Sequence, residues 1–79
     1  MKNTYLVEVS TELENDFEYT FTRAVEAETV AEAHERAYND EVEAVGSDGE
    51  DYRPVGTSHV VQVPDEAVPF IREYFGLTN

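Results

Sequence analysis

Phe17-Glu18-Tyr19-Thr20-Phe21-Thr22-Arg23-Ala24-Val25-Glu26-Ala27 decides the fold class, because its character changes at every residue. Odd positions carry Phe17, Tyr19, Phe21, Arg23, Val25 and Ala27, and even positions carry Glu18, Thr20, Thr22, Ala24 and Glu26. A period of two belongs to a strand with one buried and one wet face. Upstream, Tyr5, Val7 and Val9 repeat the pattern against Glu8 and Ser10. Residues 4–27 therefore read as a β-hairpin, with Thr11–Asp16 as its loop and the three aromatics in the core. Leu6 breaks the wet face and Arg23 the dry one. An arginine near a strand end reaches past a core with its stem.

Downstream the period lengthens. Thr29 and Glu32 form a T-x-x-E capping box, in which each side chain satisfies an amide at the start of a helix. Val30, Ala33, Ala37 and Ala44 share a stripe, with His34 and Tyr38 at its edge, and the small alanines suit close approach to a sheet. The helix end is open, since Glu41-Val42-Glu43-Ala44-Val45 also reads as extended chain. Gly46–Asp51 is an acidic turn-rich loop, and Tyr52–Gly56 fits a short edge strand. Ser58–Val63 is a further strand, stopped by Pro64. Val68–Phe75 forms a short helix with Pro69 in its first turn and Gly76 at its end, where Val68, Ile71 and Phe75 share a side. The order β-β-α-β-α predicts an α+β fold, an antiparallel-rich sheet of order 2-1-3 with helices on one face.

The chain has 79 residues, enough for one domain, and a domain of this size buries only about 60% of its unfolded surface. No cysteine is present, so neither disulfides nor thiolate metal sites support the fold. No apolar run approaches the roughly 20 residues of a membrane span, and the N-terminus has no signal-peptide pattern. These features predict a cytoplasmic protein.

Charge is the dominant feature. Eighteen acids stand against one lysine and four arginines, a net charge of −13. Such a surface repels phosphate backbones and anionic membranes, so neither direct nucleic-acid nor membrane binding is expected. A basic protein surface or a highly saline solvent is compatible with it.

Catalytic constellations are weak. Ser58 and His59 are adjacent on a strand and point to opposite faces. A carboxylate pair for acid–base work needs a buried member, and the acids sit at positions patterned as exposed. Asp48, Glu50 and Asp51 cluster on a glycine loop without the spacing of a calcium loop. His34 and His59 lack zinc-ligand spacing and read as core-edge histidines. The expectation is a non-enzymatic protein with no catalytic residue, metal or cofactor.

The helix acids Glu32, Glu35, Asp40 and Glu43 continue into Asp48, Glu50 and Asp51, and these seven are the candidate partner-binding residues. Helix neighbours three or four apart stand about 5–6 Å from each other, close enough to imitate a row of phosphates. The start Met1-Lys2-x-x-Tyr5-Leu6-Val7 and the run Glu26-Ala27-Glu28-Thr29-Val30-Ala31-Glu32-Ala33 resemble small acidic phage and mobile-element inhibitors, including anti-CRISPR proteins and other DNA mimics. The resemblance covers about half the chain. It implies a non-enzymatic inhibitor that occupies the basic nucleic-acid-binding groove of an effector, and carries no individual functional residue across. An antitoxin covering a basic toxin is a related expectation. The alternative is halophilic adaptation: one lysine, eleven valines and abundant glutamate also resemble the proteins of salt-accumulating archaea, where acidity names no partner.

Overall fold

The computed structural model describes residues 2–13, 17–44 and 52–77. Three strands, β1 (Asn3–Leu13), β2 (Glu18–Ala27) and β3 (Tyr52–Gln62), form one antiparallel sheet of order β2-β1-β3. Helix α1 (Val30–Ala44) lies between β2 and β3 in sequence, and α2 (Val68–Tyr74) follows a single 3-10 turn at Asp65–Ala67. The expected class and strand order are observed: a small α+β domain whose helical packing is concentrated on one sheet face, under α1.

The alternating pattern translates directly into register. Tyr5 faces Val25, Val7 faces Arg23, Val9 faces Phe21 and Thr11 faces Tyr19, all on the α1 side. Leu6–Ala24, Glu8–Thr22, Ser10–Thr20 and Glu12–Glu18 alternate with them on the other side. Against this sheet α1 sets Ala33 and Ala37, both fully buried among Tyr5, Val7, Val9, Val25 and Ala27, with Phe21 and Val60 packed at the margin. Burying a valine contributes about 1.5–3 kcal/mol, so this thin cluster carries much of the stability.

Several boundaries differ from expectation. β1 continues through Thr11 and Glu12 to Leu13, so the expected loop begins too early, and Thr11 is fully buried. Residues 41–44 are helical, which resolves the open end of α1. Its buried face is Ala33, Ala37 and Glu41, whereas Val30 and Ala44 are exposed. Val30 is the first helical residue and turns outward at the entry. β3 is one eleven-residue strand rather than two pieces. Two register shifts against β1, between Val7 and Val9 and between Ser10 and Thr11, each leave an extra residue on β3. Such bulges break the period of two, and Pro54 is tolerated because β3 is an edge strand.

The aromatic expectation fails at two of three positions. Phe21 is half-buried against the core, but Phe17 is 68% exposed and Tyr19 38% exposed. Strand and helix rise explain this. Eleven strand residues span about 36 Å at roughly 3.3 Å each, whereas fifteen helical residues span about 22 Å. α1 runs out before the hairpin does, and the far end of β2 overhangs it.

α2 is peripheral. Val68, Ile71 and Phe75 are half-buried along the expected side, while Phe70 and Tyr74 are exposed. Arg72 Nη1 donates to Glu26 Oε1 at 2.5 Å, tying the helix to β2. The helix closes as a Schellman motif: Leu77 N donates to Arg72 O and Gly76 N to Glu73 O, with Gly76 at φ 70°. No helix of the described residues is long and apolar enough to cross a membrane.

Candidate functional site

The start of α1 is built as the sequence implies, with one change. Glu32 N donates to Thr29 Oγ1 at 3.1 Å, satisfying an amide that has no intrahelical partner. The Glu32 carboxylate does not complete the box. It accepts instead from Arg36 Nε at 3.0 Å, an i,i+4 ion pair of about 0.3–0.5 kcal/mol.

Of the seven candidate residues, four lie among the described ones. Glu35, Asp40 and Glu43 are exposed on α1, and Glu32 is half-buried against Arg36. From Glu32 to Glu43 the row covers about 16 Å of helix axis. Asp48, Glu50 and Asp51 lie outside the described residues. The last turn of α1 holds acids and no base. A helix C-terminus carries partial negative charge, so a carboxylate there costs a few tenths to about 1 kcal/mol. Glu43 therefore does not serve the helix that carries it.

Acids also occupy the sheet face away from α1. Glu18, Thr20 and Thr22 are exposed there, as expected, whereas Glu8 and Glu26 are half-buried. Ser58 Oγ donates to Glu8 Oε1 at 3.2 Å, and Arg72 holds Glu26. Glu12 stands between Glu18 on β2 and Arg53 on β3 in the sheet register. The negative surface thus extends over two sides of the molecule.

Sequence reasoning missed the most buried acid. Glu41 is 2% exposed, against the expectation that all acids sit at exposed positions. Thr11 Oγ1 donates to its Oε2 at 2.6 Å, and Arg23 donates to its Oε1 through Nη2 at 2.8 Å and Nε at 3.3 Å. The Arg23 guanidinium also lies over the Phe21 ring, 5.3 Å from its centroid. Arg23 does not run out to solvent past the core. It turns inward to a partner on the helix. The available signal was Arg23 itself, since a cation on a core face needs a buried anion, and Glu41 continues the i,i+4 row of Ala33 and Ala37. Both oxygens of Glu41 are engaged inside the fold, which makes it a clamp between helix and sheet rather than an available base.

His34 is a satisfied core-edge residue, its Nδ1 2.6 Å from Thr57 Oγ1, and His59 is exposed. Among the described residues no cluster of three or more histidine, cysteine or acidic side chains is arranged to hold a metal ion. No protein-family model, curated protein or solved structure matches the chain.

Proposed function

We propose that this is a non-enzymatic cytoplasmic binding protein whose acidic α1 face occupies a basic, nucleic-acid-binding groove on a partner protein, in the manner of a DNA mimic. The observation that carries this reading is the set of exposed acids Glu35, Asp40 and Glu43, fixed on a regular helix from its outer face round to the flank beside β2 and continued into a last turn where the helix's own dipole disfavours them. Residues that weaken their own scaffold are explained by what they meet in a complex. A rigid anionic row steers toward a positive groove and excludes nucleic acid by occupancy.

The test is displacement of a labelled DNA duplex from purified RNA-guided nuclease effectors. Wild-type protein displaces it at about 0.1 M salt and loses potency at several-fold higher salt. The triple variant E35K/D40K/E43K, altered only at exposed positions, fails to compete. Equal potency of the variant would remove α1 from the interaction.

A second reading is supported by the acids of the opposite sheet face, where Glu18 is exposed and Glu8 half-buried. Acids on two sides suit a saline solvent better than a single groove. Under that reading the domain is loosened at about 0.1 M salt, where self-repulsion is least screened, and gains stability toward molar salt. Thermal melts across that range separate the two readings. Full folding at low salt favours the decoy, and folding confined to molar salt favours adaptation.

A further inference from the structure

The two edges of the sheet are unlike. β3 is guarded: two bulges and Pro54 interrupt its ladder, the devices by which edge strands refuse another strand. β2 has neither bulge nor proline, and its one inward charge, Arg23, is neutralised by Glu41. Its ten residues pair with β1 in unbroken register and contain neither proline nor glycine. Among the described residues no strand or other backbone group pairs with its outer side.

This open edge is also dressed on both faces. On the α1 side Phe17 and Tyr19 stand uncovered where the helix has ended, Tyr19 stacked on Phe21 at 5.5 Å between centroids. On the other side Glu18, Thr20 and Thr22 are exposed. At the Ala27 end of the strand an open groove of about 390 Å³ lies between β2 and α1, lined by Val25, Glu26, Arg36 and Asp40 together with Lys2 and Leu77.

We propose that β2 is a docking edge that accepts an extended segment of a basic partner protein as a fourth strand. Backbone pairing supplies affinity in this mode, and alternate side chains supply selection. The two faces of β2 specify the incoming pattern. Apolar residues lie beside Phe17, Tyr19 and Phe21, and alternating Lys or Arg residues lie beside Glu18 and the threonines. A second copy of the chain is the poorer occupant. In the two antiparallel β2–β2 registers of greatest overlap, Glu18 opposes Glu26 or Arg23 opposes itself, and each copy brings a net charge of −13. The proposal stands on β2 and is independent of the carboxylates of α1.

The probe is a synthetic peptide of about eight alternating lysine and valine residues, a usual strand length. Its control has the same charge, with alternate valines replaced by proline so that it cannot form a ladder. Titration followed by amide NMR and hydrogen exchange should show saturable binding, with exchange on the outer edge of β2 slowed about tenfold or more. F17A/Y19A should weaken binding about tenfold or more, and E18K should weaken it further, with melting curves confirming that both variants fold. Equal binding of the proline control would overturn the proposal, since only bulk charge would then be at work. Protection confined to α1 would overturn it too, as would the absence of binding. A concentration-dependent dimer protected along β2 would assign the edge to a second copy and overturn the basic partner.

Discussion

Replacing Arg23 by methionine should be among the most damaging single changes in this protein. The substitution leaves a carboxylate that is 2% exposed with Thr11 as its one remaining hydrogen-bond partner among the described residues. Removing one member of a buried ion pair costs about 3–5 kcal/mol, because the remaining charge stays desolvated. A domain of this length has a total stability of roughly 4–12 kcal/mol. At about 4–8 °C per kcal/mol, the melting temperature should fall by at least about 12 °C. Glu41→Leu should be milder, about 1–2 kcal/mol. Arg23 is partly exposed and able to swing into water, and a leucine extends the apolar row of Ala33 and Ala37. The double variant R23M/E41L should come within about 1 kcal/mol of the parent, since an apolar pair of similar volume often matches a buried ion pair. Urea and thermal denaturation followed by circular dichroism, all at one salt concentration, give the cycle, and its coupling should exceed about 2 kcal/mol. Losses for R23M below about 1 kcal/mol, or strictly additive losses in the double variant, would refute the clamp.

Three smaller effects complete the stability map. Thr29→Ala removes the acceptor for Glu32 N and should cost about 1 kcal/mol in a denaturation midpoint. Ala37→Leu forces a larger side chain between α1 and the sheet, where Ala37 is fully buried, and should cost about 1–3 kcal/mol despite adding apolar surface. Phe70→Ser on α2, a residue 73% exposed, should stay within about 0.5 kcal/mol of the parent in the same melts.

The hairpin was legible because the alternation runs from Phe17 to Ala27 with only Arg23 against it, although Phe17 and Tyr19 end up exposed. The start of α1 was legible because Thr29 leaves a chemical signature. What escaped has physical causes. β3 looks broken in sequence because each bulge shifts inside and outside by one residue, so Pro54 and Gly56 resemble ends rather than the middle of an edge strand. The end of α1 was ambiguous because Glu41–Val45 alternates like a strand, while the structure uses helical spacing to bring Glu41 under Ala37. The exposure of Phe17 and Tyr19 follows from a mismatch of element lengths, which no local pattern encodes. For the candidate surface, sequence spacing placed Glu35, Asp40 and Glu43 on the outer face of α1. The i,i+4 spacing of Glu32 and Arg36 and the acids of the open sheet face were legible as well; what spacing did not show is that Glu8 and Glu26 are half-buried, held by Ser58 and Arg72.

The arginines explain why so much negative charge remains on the outside. A count of four arginines against eighteen acids suggests a partly neutralised surface. Three of those four are committed within the fold. Arg23 binds Glu41 and fastens α1 to the sheet, Arg36 binds Glu32 in the first turns of α1, and Arg72 binds Glu26 and fastens α2 to β2. Each of these three cations is matched by a carboxylate inside the fold, and the fourth, Arg53, stands opposite Glu12 in the β1–β3 register. The same investment orders the response to salt. The Arg23–Glu41 pair, with Glu41 buried and Arg23 only partly exposed, is screened less than the surface, while repulsion among exposed carboxylates is screened within about 10 Å at 0.1 M salt. Added salt should therefore stabilise the domain by relaxing its surface while leaving its internal clamp intact. A melting temperature that falls with salt would mean that exposed ion pairs, rather than the clamp and the apolar core, hold the helices in place.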